Sequence, residues 1–319
     1  MTILFLGNFE AEFSSENYYR KTLEEMGHTV ITKQENKAKE SDLAEAVAYN
    51  KIDAFFWVHT HGWATSGIER FLDRIRKVGI VSFAYHLDLY LGIKREIQVK
   101  TDPFFTVDHF FTVDKLMADW LTEHGKCKGH FLPAGVYAGE CVLGTPNREK
   151  YPHDIIFTGA KGYHHEWPYR PKLIEWLQST YGDRFGHYGN GGMAQVRGLE
   201  LNNLYASAKI VIGDTLCKNF DYPWYSSDRL FEVCGRGGFL IYPHIEGLQT
   251  LYSPDEVEYY NFNDFGMLKD LIDYHLLPTE EVAIEGNTRE QMRLAALERT
   301  KHEHTYKHRL QFILDTLCK

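Results

Sequence analysis

The sequence predicts an α/β protein made of two parallel-sheet halves, and three observations carry that expectation. Apolar strand-like runs alternate with helix-like runs along most of the chain. The strand-like runs are continuously apolar, as in Ile3-Leu4-Phe5-Leu6, or nearly so, as in Ile52 to Val58. That pattern belongs to strands covered on both faces, as in parallel sheets. The alternation pauses once, over Gly139 to Pro152 with Gly144 and Pro146, and then restarts. Residues 1–145 and 146–319 are therefore expected to be two domains, and 319 residues with 44% hydrophobic content suffice for two cores.

In the first half, Thr2 to Leu6 is a strand ending in Gly7-Asn8, and Ser15 to Met26 a helix stopped by Gly27. His28 to Thr32, Ile52 to Val58 and Gly79 to Tyr85 are further strands, separated by helices over Ser41 to Asn50, with Ser41 as its cap, and Ser66 to Lys77. Phe110 to Val113 is a strand, and Lys115 to His124 a helix with Leu116, Met117, Trp120 and Leu121 on one face. In the second half, Asp154 to Phe157, Arg184 to Tyr188, Lys209 to Ile212, Phe239 to Tyr242 and Val257 to Phe262 read as strands. Helices fall between them, including Leu201 to Ala208, and Phe265 to His275 is a helix after the last strand. The chain reads as helical from about Thr279 onward, with Tyr306, Leu310, Ile313 and Leu317 on one stripe.

Open parallel sheets bind ligands at the carboxyl ends of their strands, so those ends hold the candidate site residues. In the first half they carry His59, His61 and Trp63 after one strand and His86 and Asp88 after the next. His59 and His61 lack a Cys or carboxylate at metal-site spacing, so no metal site is expected. In the second half, Thr158-Gly159-Ala160-Lys161-Gly162 follows the first strand, a turn able to cradle phosphate with backbone N–H groups and one ammonium. It lacks the full P-loop pattern, which weakens a kinase or ATPase reading. Gly189-Asn190-Gly191-Gly192 follows the next strand.

The most informative stretch is Ser226 to Gly247, SSDRLFEVCGRGGFLIYPHIEG. It reads as a short helix with Ser226, Ser227 and Asp228 as cap candidates, then Gly235, Gly237 and Gly238, then a buried strand. Arg229 is a cation in the first turn, where the helix dipole disfavours it unless something negative lies beside it. The order Ser-Asp-Arg-Leu-Phe-Glu, Cys-Gly-Arg-Gly-Gly, strand and acidic Gly turn resembles the donor-site segment of group-1 glycosyltransferases, and within them the CgeB-like (spore-maturation) branch. Phe131-Leu-Pro-Ala-Gly-Val136 resembles the element with which these enzymes leave their first domain, with Tyr137 in place of the usual Asp.

The resemblance implies the GT-B fold: two Rossmann-like domains facing across a cleft, with a terminal helix that crosses back to the first. It implies a nucleotide-diphosphate sugar as donor substrate, a UDP-sugar above all, with no separate cofactor and no metal. By that resemblance Lys161, Arg229 and, to a lesser degree, Arg170 meet the diphosphate, with Ser227 at the same helix start. Glu232 holds the ribose, and Gly159, Gly189, Gly191 and Gly235 let the nucleotide lie against the backbone. His86 and Asp88 match a His-Asp element of the acceptor domain, interrupted here by Leu87, with Asp88 the base if configuration inverts. The superfamily's pair of glutamates separated by seven residues is incomplete, because Trp224 stands where the first is expected.

A formal net charge of −9 argues against a broad nucleic-acid or membrane footprint. Five cysteines, none in C-x-x-C spacing, indicate neither disulfide framework nor zinc knuckle and point to a cytoplasmic setting. No membrane span is expected. The acceptor stays open among glycan, protein and modified DNA base. Alternatives are a phage-type DNA glycosyltransferase with Arg70, Arg74, Arg76, Lys77, Lys94 and Arg95 lining its groove, a sugar-nucleotide epimerase, and a non-catalytic nucleotide-sugar-binding protein.

Overall fold

The computed structural model describes residues 1–162, 164–277 and 289–318. The helix start expected near Thr279, together with Tyr163 and Lys319, lies outside them. The chain divides into two compact units, Met1–Pro133 with Tyr306–Lys319, and Ala134–Thr305.

Unit 1 is a parallel sheet of β1 (Thr2–Gly7), β2 (Thr29–Gln34), β3 (Ala54–Trp57), β4 (Val81–His86), β5 (His109–Thr112) and β6 (Lys128–Phe131), in the order β2-β1-β3-β4-β5-β6. Its helices are α1 (Ser15–Glu25), α2 (Glu40–Tyr49), α3 (Ile68–Lys77), α4 (Glu96–Thr101) and α5 (Lys115–Glu123). The strands pair in parallel register, Leu4 with Phe55 and Phe56 with Phe83, and Ile3, Leu4, Phe5 and Leu6 are all buried, as continuously apolar strands require. Ser14 Oγ accepts from Asn17 N at 3.2 Å to start α1, and Asp114 Oδ1 accepts from Met117 N at 3.2 Å to start α5. The helix expected to begin at Ser41 begins one turn-residue earlier, with Asp42 Oδ2 accepting from Lys39 N at 2.8 Å.

Unit 2 is a parallel sheet of β7 (Ile155–Thr158), β8 (Phe185–Tyr188), β9 (Ile210–Ile212), β10 (Leu240–Pro243) and β11 (Glu258–Tyr260), ordered β11-β10-β9-β7-β8. Its helices are α6 (Tyr169–Tyr181), α7 (Leu199–Ser207), α8 (Arg229–Gly235), α9 (Phe265–Leu276) and α10 (Arg289–Glu303). The last helix, α11 (Tyr306–Leu317), belongs to unit 1, where Tyr306 packs edge-on against Tyr19 of α1 at 4.8 Å and Leu310 and Ile313 are buried. The terminal helix therefore does join the first unit.

The stretch expected to be a linker is part of unit 2. Thr145 N donates to Asn203 Oδ1 at 2.8 Å, Asn147 N to Ser207 Oγ at 2.7 Å, and Asn202 Nδ2 to the carbonyls of Glu140 and Val142 at 2.9 and 2.6 Å. Its Gly and Pro residues shape a strap tied down by hydrogen bonds, and the chain passes between units at Pro133 and Ala134 instead. Among the described residues, no helix is long and apolar enough to cross a membrane.

Candidate functional site

In unit 2 the carboxyl ends of β7 and β8 meet the first turn of α8. Gly159 (φ +123°) and Gly189 (φ +142°) lie in backbone regions that a side chain rarely adopts, and they press on each other: a Cβ on Gly189 would sit 2.4 Å from the Gly159 carbonyl oxygen. Gly159 N donates to Tyr188 O at 2.8 Å and Lys161 N to Asn190 O at 2.9 Å, so the two turns form one backbone surface. His187 Nε2 donates to Gly159 O at 2.7 Å, and burial, first among the causes, lowers its pKa, which suits a neutral ring.

Arg229 lies against this surface. A Cβ on Gly159 would come within 2.5 Å of Arg229 Nη2, so only glycine lets the guanidinium approach. Its Cζ is 5.4 Å from the centre of the Phe157 ring. Nε and Nη1 of Arg229 are buried and have no hydrogen-bond partner among the described residues. Such donors normally have a partner, and an unmade one costs about 1–3 kcal/mol. Arg236, seven residues on, is the contrast: it bonds Gly198 O at 2.9 Å, Asn202 Oδ1 at 2.8 Å and the Glu140 carboxylate, fixing the strap to α7 and α8. Arg236 holds the fold through these bonds, whereas Arg229 Nε and Nη1 have no hydrogen-bond partner among the described residues.

The remaining expected residues divide. Glu232 is one turn after Arg229, with no hydrogen bond or ion pair to its carboxylate among the described residues. Its charge adds to burial in pushing the Tyr205 phenol up to about 12, and Tyr205 Oη bonds Thr158 Oγ1 at 3.0 Å, so Glu232 belongs to the same strand end. Gly191 touches Lys161, whose Nζ is paired with Glu175 Oε1 at 2.9 Å on a half-exposed surface. Ser227 N is already engaged by Thr215 Oγ1 at 3.0 Å, which withdraws that amide from an incoming anion. Gly235 faces the protein itself. It ends α8, and a Cβ there would meet Val136 at 2.7 Å and Thr300 at 2.9 Å, so it is a packing glycine in a small core with Cys141 and Leu297. Gly238 likewise packs against Val233 and Val211.

Sequence reasoning missed Asp214, the second residue past β9. It is wholly buried, accepts from Arg170 Nε at 2.8 Å and Trp167 Nε1 at 3.0 Å, and burial raises its pKa against the pull of Arg170. Arg170 also donates to Ala160 O at 3.3 Å, so this ion pair braces the Gly159 turn from below. The available signal was its strand-end position, obscured by the aromatic loop that follows. That loop has Asn219, Phe220 and Trp224 at positive φ, a strained arrangement that unit 2 keeps beside these strand ends.

In unit 1, His86 ends β4. Its Nε2 is buried without a hydrogen-bond partner among the described residues, 3.6 Å from Asp88 Oδ2, and Asp88 is 3.4 Å from Arg95 Nη1. Burial, partly offset by Asp88, pushes the His86 pKa down to about 4. His59 is held by Glu35 and approached by Asp102, while His61 is exposed.

With this geometry in place, residues 170–315 match a family model described as glycosyl transferase-like. No curated protein sequence matches the chain. Among solved structures, the fold is similar to sucrose-phosphate synthase from Thermosynechococcus elongatus (TM-score 0.65, 10% identity, 99% of each chain covered). It is similar to Anabaena HepE, solved with UDP and glucose (TM-score 0.64, 10% identity, 100% of this chain and 99% of that one). It is also similar to an alpha-glucosyltransferase solved with UDP and a 13-mer DNA containing an HMU base (TM-score 0.62, 13% identity, 100% of each chain). The fold is GT-B, and within it residues 170–315 are similar to the glycosyl transferase-like family.

Proposed function

We propose that this chain transfers a sugar from a nucleotide-diphosphate sugar, with UDP as the nucleotide, to a hydroxyl acceptor, and that it belongs to the CgeB-like branch. The observation that carries this reading is Arg229, whose buried Nε and Nη1, against a glycine turn, lack partners among the described residues. A diphosphate supplies the missing acceptors and gains charge as the glycosidic bond breaks, so Arg229 stabilises the transition state more than the ground state. The Gly159 and Gly189 turns admit the nucleotide close to the backbone, and Glu232 accepts from the ribose hydroxyls. Lys161 joins by leaving Glu175, an exposed pairing whose loss costs little. In this scheme the side chains neutralise the leaving group without a metal.

In unit 1, Asp88 accepts the acceptor's proton and His86 contacts the sugar. A proton leaves the acceptor hydroxyl as its oxygen bonds the anomeric carbon, and the bond from that carbon to the diphosphate oxygen breaks. UDP in the structures of HepE and of the alpha-glucosyltransferase supports the choice of nucleotide. The DNA acceptor of the latter finds less support here. Arg70 and Arg74 pair with Glu40 at the start of α2, and Arg76 pairs with Asp73 and Asp108, so these three cations already have carboxylate partners within unit 1.

Thermal unfolding against a panel of nucleoside-diphosphate sugars, with and without Mn²⁺, tests the reading. A metal-independent shift with uridine compounds, absent in Arg229→Ala and Glu232→Ala, is the expected result; no shift with any member would end the donor-site reading.

A further inference from the structure

Unit 1 holds a second His–carboxylate system beside His86 and Asp88. Glu35, the residue after β2, is wholly buried and accepts three hydrogen bonds: from Trp57 Nε1 at 2.8 Å, from His59 Nδ1 at 2.5 Å and from Thr60 N at 2.8 Å. A carboxylate in such a place needs this much compensation, and a side chain held by three donors has one orientation. Glu35 thereby fixes the His59 ring, turning Nε2 toward Asp102 Oδ2 at 3.5 Å. Asp102 Oδ1 accepts from Phe104 N at 2.9 Å, so the carboxylate is fixed from two sides while its side chain stays 25% exposed.

The two systems are adjacent. His59 and His86 each lie 5.3 Å from the Phe104 ring, and both stand at carboxyl ends of neighbouring strands. His86 Nε2 is buried and without a hydrogen-bond partner among the described residues, and Asp88 is 32% exposed. Two carboxylates, each backed by a histidine and each partly open to solvent, are the arrangement that recognises a set of hydroxyls, since a carboxylate accepts from two O–H groups at once. Glu35, Asp88 and Asp102 outnumber Arg95 among these groups, which disfavours a phosphate backbone.

We propose that Asp102 is a second acceptor-binding carboxylate, that Glu35 and His59 are the residues positioning it, and that the acceptor is a neutral, hydroxyl-rich saccharide. This rests on the glycosyl-transfer reading above.

The test measures UDP release from UDP-glucose, alone and with glucose, galactose, maltose, lactose or a short duplex containing hydroxymethyluracil. Wild type, Asp102→Asn and His59→Gln are compared, with thermal unfolding as a check on folding. Should Asp102→Asn fail to fold, Asp102→Ser preserves a cap for Phe104 N. One saccharide is expected to accelerate UDP release. Asp102→Asn should raise its KM by roughly tenfold or more, with the UDP-glucose KM within about twofold of wild type. His59→Gln should move the same constant in the same direction by less. An unchanged acceptor KM in both variants overturns the proposal while leaving the donor reading intact. Acceleration by the duplex alone, or by none of the probes, overturns the saccharide assignment. Failure of wild type to bind UDP-glucose at all removes the donor reading, and this proposal with it.

Discussion

Replacing Arg229 with Met separates a binding residue from a structural one. Arg229 Nε and Nη1 are buried without hydrogen-bond partners among the described residues, each an unmade bond worth about 1–3 kcal/mol of destabilisation. Against this stands the contact of Cζ with the Phe157 ring at 5.4 Å, worth about 0.5–2 kcal/mol. Met keeps the aliphatic packing and removes both terms. Two unmade bonds at the low end of that range, about 2 kcal/mol together, less the ring contact leave an expected stability change between zero and a gain of about 1.5 kcal/mol. For a unit the size of Ala134–Thr305 that is a rise of up to several degrees in Tm, on about 2–4 °C per kcal/mol. Binding should move the other way. Two charge-assisted hydrogen bonds to a diphosphate are worth about 3–6 kcal/mol, so the Kd for UDP should rise at least about a hundredfold. Differential scanning calorimetry and UDP titration on the same preparations give both numbers. A variant that loses more than about 2 kcal/mol of stability while binding UDP as wild type does would refute the reasoning.

Three further outcomes follow from the geometry. The unfolded chain protonates His86 near the ordinary 6.5 but the folded chain only near 4, so its contribution is complete above pH 6.5 and lost as pH falls toward 4. The loss is about 3 kcal/mol, and His86→Gln should flatten Tm against pH across that window. Gly189→Ala forces a side chain to φ +142° and onto the Gly159 carbonyl; about 1–3 kcal/mol of destabilisation from the backbone alone, with loss of UDP binding, is expected in denaturant titrations. Asp214→Ala leaves Arg170 buried and unpaired, which should destabilise by about 3–5 kcal/mol, and the double change Asp214→Leu with Arg170→Met should recover most of it.

Much of the fold was legible because parallel strands buried on both faces are written as unbroken apolar runs, and Ile3 to Leu6 or Ile155 to Phe157 have no other use. Strand β6 was not: Lys128-Gly-His-Phe131 is half-buried at the sheet edge, paired only with β5, and lacks the apolar signature. Helix α4 is six residues long, too short to show a period. Arg229, Glu232 and the glycine turns stood out as candidates because their residue types are odd for their positions. Gly235 stood out for the same reason, and an unusual glycine marks a close approach without saying whether a ligand or Val136 makes it. Asp214 and Glu35 were invisible because their meaning lies in partners 44 and 22 to 25 residues away, on elements whose packing no local pattern encodes.

The most direct test of the donor site is isothermal titration of UDP-glucose and UDP into the purified protein, in chelator-treated buffer, alongside Arg229→Met, Glu232→Ala and Asp102→Asn. Binding of both ligands to wild type and Asp102→Asn, with affinity lost in Arg229→Met and weakened in Glu232→Ala, is the expected result. Absence of binding to a cooperatively folded wild type, or binding that Arg229→Met leaves unchanged, would contradict the assignment of these strand ends to a nucleotide-sugar.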